Sequence, residues 1–216
     1  MADISNHAAF IWSVADLLRG DYKQSEYGRV ILPLTVLRRL DCVIAPVKDD
    51  MLAKYDSVKD TLDNYGPVLD RLTDTRHLWN TSPYDMAKLL DDPDNIATNL
   101  NAYIRGFSPE IQDMLDNFDL DTQIAKLDRS NLLYHVLGKF ADIDLHPDKV
   151  NNLEMGYLYE ELIRRFSELS ERSYWPTRHC VQSWVAATGK CRGPLRSTRI
   201  CMRQPNGSTT YQSRES

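Results

Sequence analysis

Hydrophobic residues recur at helical spacing over the first 170 positions of the chain. The first segment places them at i, i+4, i+7 and i+8, the stripe that a helix buries against a core: Phe10, Val14, Leu17 and Leu18. Gly20 follows where a left-handed residue would end such a helix. No run of alternating apolar and polar residues competes with these patterns, so the sequence predicts an all-α, multi-helix domain over residues 1–170.

A second and longer apolar pattern runs over residues 25–44 and contains Pro33. Proline lacks the backbone donor that a helix interior needs, so we expect the helix to kink or to split in two between Val30 and Leu32. Its arginines Arg38 and Arg39 follow the stripe formed by Leu34 and Leu37, and we place them on the solvent face.

Later helix starts are marked by a serine that caps and a proline in the first turn. This signal occurs at Ser82-Pro83 and again at Ser108-Pro109, where Glu110 also favours the helix dipole. An amphipathic segment then opens at Ser130 or Asn131, and another runs over residues 153–169. We predict a helix at each of these four places.

Charge divides the chain into two unlike parts. Residues 1–170 carry 18 basic and 29 acidic residues, a balance of −11, whereas residues 171–216 carry 8 basic and 2 acidic residues, a balance of +6. The overall composition, with 42% hydrophobic and 26% charged residues, is that of a globular protein. No run of 18 apolar residues occurs, and the first residues lack a basic signal region, so we expect no membrane span and a cytoplasmic location.

Several kinds of active site are excluded by the sequence pattern. The six glycines of residues 1–170 are nowhere closer than eight residues apart, whereas a loop that holds a nucleotide needs glycines two or three apart. The chain has no CxxC, HExxH or GxSxG motif, and its histidines are scattered. Cys42 is expected to be a packed thiol, and the tail cysteines match no zinc pattern. We therefore predict no catalytic, cofactor or metal residues.

Two long segments carry a resemblance to a known family. Residues 10–41 read FIWSVADLLRGDYKQSEYGRVILPLTVLRRLD, and residues 127–169 read LDRSNLLYHVLGKFADIDLHPDKVNNLEMGYLYEELIRRFSEL. Together they closely resemble the N-terminal helical region of the M (modification) subunit of type I restriction–modification systems, an adenine-N6 DNA methyltransferase. The likeness extends over about residues 5–170.

The resemblance implies a set of partners and a cofactor. In that family two M subunits join one specificity (S) subunit, and the helical domain contacts neighbouring subunits and double-stranded DNA. A following domain binds S-adenosylmethionine and transfers the methyl group with an (Asn/Asp)-Pro-Pro-aromatic motif on a flipped adenine. This chain has neither the glycine-rich loop nor any Pro-Pro dipeptide. We therefore expect no cofactor in this chain and no methyl transfer by it alone.

Residues 171–216 depart from the family in a way that suggests a frame shift. The codons GAA CGA AGC TAC TGG CCA ACA CGT encode Glu171 to Arg178, and read one nucleotide later they encode Asn-Glu-Ala-Thr-Gly-Gln-His. Family members continue with an Asn-Glu-Ala-Thr-Gly phrase at this point. The glycine follows from any codon choice, because tryptophan has one codon and every proline codon begins with C. We expect a single-nucleotide slip near Ser170 and a disordered tail, with a basic nucleic-acid arm as the alternative.

Five cations are the candidate contact residues for DNA or for a partner subunit: Arg19, Lys23, Arg29, Arg38 and Arg39. Exposed cations neutralise phosphates without reading a base sequence. Because residues 1–170 are strongly acidic, contact with a partner subunit is favoured over autonomous DNA binding. The alternative function is a free-standing interaction module that docks on intact M or S subunits and modulates their assembly.

Overall fold

The computed structural model describes residues 2–73 and 77–169, with side chains from Ala9 to Glu168 in these ranges. Helix accounts for most of this part of the chain, in which no β-strand occurs, so the all-α prediction is confirmed. The α-helices are α1 (Ala2–Leu17), α2 (Tyr27–Ile44), α3 (Lys48–Val58), α4 (Gly66–Leu69), α5 (Ile96–Arg105), α6 (Pro109–Asp116), α7 (Leu120–Arg129), α8 (Leu133–Asp142) and α9 (Asn152–Leu169). The tail over residues 171–216 lies outside the described residues.

Helix α2 is the central element of the bundle. It packs against α1, α7, α8 and α9, and fifteen of its eighteen residues are buried. Pro33 does not split it, since α2 is continuous from Tyr27 to Ile44. The carbonyl that Pro33 leaves without its helical donor belongs to Arg29, which is exposed at the first turn of the helix.

Helix α9 closes the bundle by packing on α1 and α2. The Trp12 ring of α1 stacks on Phe166 with ring centroids 5.0 Å apart, and the Arg165 guanidinium lies 5.7 Å from the Trp12 ring. The start of α9 is a reciprocal cap: Asn151 Oδ1 accepts the backbone N–H of Glu154 at 3.0 Å, and the Glu154 carboxylate accepts that of Asn151 at 3.0 Å. The predicted helix over residues 153–169 is present.

Residues 59–95 form the irregular part of the fold. Of these, the described residues 59–73 and 77–95 contain only the short helix α4 and two 3₁₀ turns, Lys88–Asp91 and Pro93–Asn95. The prediction of a helix at Ser82-Pro83 is wrong. The Ser82 hydroxyl accepts the backbone N–H of Tyr84 at 3.3 Å in a turn, and the next α-helix begins only at Ile96. The equivalent prediction at Ser108-Pro109 is confirmed by α6.

A buried asparagine organises this irregular part. Asn80 Nδ2 donates to the Tyr103 carbonyl at 2.9 Å, and its Oδ1 accepts the Ser82 N–H at 2.8 Å and the Lys48 ammonium at 3.1 Å. Beside it, the Thr81 N–H donates to the Gly106 carbonyl at 2.8 Å. Because a buried backbone needs such partners, Asn80 joins the irregular segment to α3 and α5.

Candidate functional site

Two of the five predicted contact residues are buried, one of them fully and the other in large part. Arg39 is fully buried, and the Arg38 side chain is 16% exposed. The prediction that both lie on a solvent face is therefore wrong. Its premise was an amphipathic helix, whereas α2 is apolar on nearly all sides and is surrounded by other helices.

Arg39 holds the loop that connects α8 to α9. Its guanidinium donates to the carbonyls of Leu145 and Val150, the second at 2.6 Å, and to Asn152 Oδ1 at 2.8 Å. No carboxylate is bonded to it within the described residues, so burial lowers the pKa of its guanidinium. The arginine supplies donors to a buried loop rather than a charge to a partner.

Arg38 belongs to a buried polar cluster on the same helix. It donates to the Ile143 carbonyl at 2.8 Å and to Asp41 Oδ2 at 2.7 Å. Asp41 Oδ1 in turn accepts the Tyr103 hydroxyl at 2.8 Å. Burial and the Asp41 carboxylate raise the pKa of Tyr103 well above its usual value. These contacts fix α2 against α5 and the α8–α9 loop, and they leave Arg38 turned inward.

The other three candidates are exposed at one end of the bundle. Arg19 pairs with Asp16 at 2.9 Å, Lys23 lies in the connection between α1 and α2, and Arg29 lies in the first turn of α2. Nothing in the structure tests whether they contact DNA or a subunit, so that role stays a prediction.

The fold adds two cations from α7 that sequence reasoning missed. Lys126 lies 3.2 Å from the Glu26 carboxylate and 3.8 Å from the centre of the Tyr22 ring. Burial and the Glu26 charge raise the pKa of Tyr22 to about 12, and Arg129 opposes that rise. Lys126 and Arg129 are about a hundred residues from Tyr22 in sequence, so no local pattern could pair them. We call this set the basic corner: Arg19, Lys23, Arg29, Lys126 and Arg129.

A family comparison identifies the domain that this bundle forms. The family model described as the HsdM N-terminal domain matches residues 7–140, well over half of the chain. The chain belongs to this family. A search of curated proteins gives no match. The HsdM N-terminal domain match confirms the resemblance to the N-terminal part of a type I M subunit.

The HsdM match runs from α1 to α8 and stops before α9. The basic corner lies wholly inside the matched region, because its residues come from α1, the α1–α2 connection, α2 and α7. Helix α9 lies outside the match although it completes the packing of α1 and α2. The folded unit of this HsdM domain therefore extends past the matched residues.

The described part of the chain contains no cluster of His, Cys, Asp and Glu side chains that could hold a metal ion. A cleft of about 410 Å³ lies beside α4, and its walls include Tyr65, Trp79, Asp70 and Glu110. His77 Nδ1 stands 3.5 Å from both carboxylates there. Its lining has acidic and aromatic groups but no lysine or arginine that could hold a phosphate. Within the described residues, no helix is long and apolar enough to cross a membrane.

Proposed function

We propose that the chain acts as the N-terminal region of a type I restriction–modification M subunit and contributes contacts to partner subunits and to DNA. The observation that carries this proposal is the HsdM match over residues 7–140, on a complete helical bundle. The S subunit and a second M subunit are the proposed protein partners, and double-stranded DNA is bound within the assembled complex. Methyl transfer from S-adenosylmethionine is not carried by this chain alone.

The basic corner is the proposed contact surface. Its cations are partly neutralised by neighbours of opposite charge, since Arg19 pairs with Asp16 and Lys126 with Glu26. Affinity for DNA rises with the number of phosphates that are neutralised, so this corner favours a protein partner over autonomous DNA binding. Lys23 and Arg29 are exposed cations with no ion pair in the described part of the chain, and they are the first residues to test.

We also propose that the methyltransferase part is encoded in the shifted frame after Ser170. The support is that a permitted choice of synonymous codons for Glu171 to Arg178, read one nucleotide later, encodes Asn-Glu-Ala-Thr-Gly-Gln-His, and that its glycine follows from every choice. The nucleotide sequence of the gene, read in all three frames, tests this directly. A downstream shifted frame that encodes no methyltransferase sequence would contradict it.

Charge reversal at the basic corner tests the partner contact. In a co-purification of the 216-residue chain with S and intact M subunits, we expect Lys23→Glu with Arg29→Glu to weaken the association about tenfold, which corresponds to ~1.4 kcal/mol. Lys54→Glu, on the exposed side of α3, is the matched control and should bind as the unchanged chain does. A chain that does not associate with S or M at any salt concentration would contradict the proposal.

Two further measurements separate the alternatives. Methyl transfer by the purified chain, alone or with the S subunit, should be undetectable, and measurable transfer would overturn this part of the proposal. The interaction-module alternative predicts that the chain, added to a complex already assembled from intact M and S subunits, changes the ratio of M to S. Replacement of an intact M subunit by one copy of the chain, which keeps the sum of intact M subunits and chain copies per S unchanged, favours the subunit role.

A further inference from the structure

The cleft beside α4 carries negative charge without a matching cation. Its walls include the three carboxylates of Asp63, Asp70 and Glu110 and a single imidazole, that of His77, and its described walls contain no lysine or arginine. Asp70 Oδ2 and Glu110 Oε1 each stand 3.5 Å from the same atom, His77 Nδ1, so the two oxygens are no more than twice that distance apart. The charge of this cleft therefore suits a cationic ligand and opposes an anionic one.

The buried indole of Trp79 gives an independent indication of a ligand. Trp79 is only 7% exposed, and its Nε1–H meets no oxygen or nitrogen acceptor within the described residues. The N–H is not sealed in the core, because the sealed side-chain polar atoms that lack a partner in this part of the chain are Arg39 Nε and Asn101 Oδ1. It lies beside Gly66 of the cleft wall, where a Cβ atom would stand 3.8 Å from Nε1. A buried donor normally has a partner, so this N–H indicates an acceptor atom on the ligand.

The backbone at His77 holds the cleft in a fixed shape. His77 has a φ of 59°, in the left-handed region that residues other than glycine rarely adopt. Its N–H donates to Asp70 Oδ1 at 2.9 Å, and its carbonyl accepts the hydroxyl of Ser108, which directly precedes α6. These bonds join Asp70 to the start of α6, where Glu110 lies. A ligand therefore meets walls that are already in place, which lowers the cost of binding.

A guanidinium matches this arrangement better than an ammonium does. Two carboxylates around one point can both accept from a planar group with five N–H donors, whereas an ammonium is a compact point charge. Tyr65 and Trp79 form an aromatic wall with ring centroids 5.5 Å apart, and guanidinium groups stack on aromatic rings. The cleft volume of about 410 Å³ is at the small end for ligand sites, which suits a single side chain.

We infer that the cleft beside α4 binds an arginine side chain of a partner polypeptide. The guanidinium lies between Asp70 and Glu110, and a backbone carbonyl of the same segment accepts the Trp79 N–H. Free arginine is a poorer ligand, because the carboxylates of the cleft repel its α-carboxylate. The site shares no residue with the basic corner and does not depend on the proposed function. It gives the domain a second contact surface, of opposite charge.

Titration of the unchanged 216-residue chain with small probes tests the inference. The signals are the Trp79 indole N–H, assigned by its loss in Trp79→Phe, and the Gly66 backbone N–H in nitrogen-15 NMR spectra. N-acetyl-arginine methylamide should shift both signals with a dissociation constant on the order of 1 mM, as expected for one residue. The capped lysine analogue and free arginine should bind about threefold more weakly or less. The capped citrulline analogue, which has the same shape and no charge, should not bind measurably.

Substitutions at the carboxylates test the cation contact. Glu110→Gln should weaken the binding of the capped arginine about threefold, and the addition of Asp70→Asn should bring the total to about tenfold. Both changes keep an oxygen acceptor and remove only charge. Asp113→Asn is the matched control, because it removes the same charge from the exposed side of the same helix outside the cleft, and it should bind as the unchanged chain does.

Trp79→Phe tests the carbonyl contact. It should weaken the capped arginine about fivefold, measured at the Gly66 N–H, because one hydrogen bond is lost. Methylguanidinium has no carbonyl, so its binding should stay unchanged. Damage to the fold would weaken both probes, and the two explanations are thereby separated.

Four results would overturn the inference. These are citrulline binding equal to that of arginine, equal effects of Glu110→Gln and Asp113→Asn, equal losses of both probes in Trp79→Phe, and no shift of either signal with the capped arginine. Free arginine that binds more tightly than the capped form would assign the cleft to a small molecule and would also overturn it. The basic corner takes no part in these measurements, so their failure leaves the proposed function standing.

Discussion

The helical bundle and the irregular segment over residues 59–95 are held together by different kinds of contact. In the bundle, side chains such as Val14, Leu37 and Leu162 meet at helical spacing and are completely buried. In the irregular segment, Asn80 and the backbone around it are bonded to α3 and α5 through polar groups. A helix satisfies its own backbone, so apolar packing is enough to hold it, whereas an irregular segment near the core needs donors and acceptors from its neighbours.

The α8–α9 connection shows the same requirement inside the bundle. Arg39 supplies donors to two carbonyls of this loop and to Asn152 Oδ1. Asn80 plays the same part in the irregular segment, where it donates to the Tyr103 carbonyl and accepts the Ser82 N–H. A buried polar side chain thus marks a place where irregular backbone lies against a helix. Three substitutions test how far this rule applies, and each has a control in the same chain.

The largest effect is expected from Arg39→Met. The substitution removes the donors that Arg39 supplies to the Leu145 and Val150 carbonyls and to Asn152 Oδ1, and a buried carbonyl that loses its donor costs about 1–3 kcal/mol. We expect the free energy of unfolding in urea to fall by about 3 kcal/mol. Arg29→Met, on the exposed side of the same helix, should change it by less than about 0.5 kcal/mol. A loss below ~1 kcal/mol for Arg39→Met would show that the loop does not depend on this side chain.

A smaller loss is expected from Gly106→Ala. The added Cβ would lie 2.7 Å from Ser82 Cβ and 2.8 Å from both Asn80 Oδ1 and the Ser82 backbone nitrogen. The irregular segment would have to move, and overpacking of this kind costs about 1–3 kcal/mol. Gly138→Ala, in the interior of α8, is the control, because its Cβ would meet nothing within 4 Å. Gly138→Ala should stabilise the protein by up to about 1 kcal/mol. Equal effects of the two substitutions would show that crowding by Asn80 and Ser82 does not matter at Gly106.

The smallest effect concerns pH and Lys48, whose ammonium is bonded to Asn80. Burial lowers the pKa of Lys48 to about 8, from 10.5 in the unfolded chain. Between pH 8 and 10 the unfolded state binds more protons than the folded state, so this group makes the free energy of unfolding rise with pH. The rise should reach about 2 kcal/mol at most. Below pH 8 both states are protonated, and the cost of burying the charge is present in full.

Lys48→Met should abolish this rise, and Lys54→Met should keep it, since Lys54 is exposed on the same helix. Urea unfolding at several pH values between 7 and 10 measures the effect. A rise that persists in Lys48→Met would assign it to another group. The raised pKa of Tyr103 limits the useful range, because tyrosines of the unfolded chain begin to ionise near pH 10 and lower the stability above that value.

The sequence predicted helices at α1, α2, α6, α8 and α9, and it marked none at α3, α5 or α7. The all-α class and the course of α9 follow from apolar spacing, which is a local property of the chain. Helix α6 begins at Pro109 as predicted, although the Ser108 hydroxyl donates to the His77 carbonyl and does not cap the helix. The failure at Ser82-Pro83 has a physical reason: the same capping signal also suits a turn, and the choice depends on Asn80 and Gly106, which meet only in the folded protein. A local pattern cannot report a partner that lies far away in sequence.

The contact residues were partly misplaced for a related reason. A signal was present for Arg39, because apolar residues surround it on all sides of the helical projection, and a helix of that kind is buried. For the basic corner the missing information was the packing of α7 beside Tyr22, which brings Lys126 and Arg129 to residues about a hundred positions earlier. The contact role of Arg19, Lys23 and Arg29 remains a prediction that the charge-reversal experiment addresses.

The stacking of Trp12 on Phe166 has a consequence for synthesis on the ribosome. The first helix to be made cannot complete its packing until the ninth has been translated, since α1 and α9 are neighbours in the fold. During that interval the apolar faces of α1 and α2 are without one of their partners, a condition in which nascent chains aggregate or bind chaperones. A reading-frame slip before codon 166 would remove Phe166, the partner of Trp12 in this stack. A slip near codon 170 leaves every residue of this contact encoded, so the bundle can close whichever frame is read afterwards.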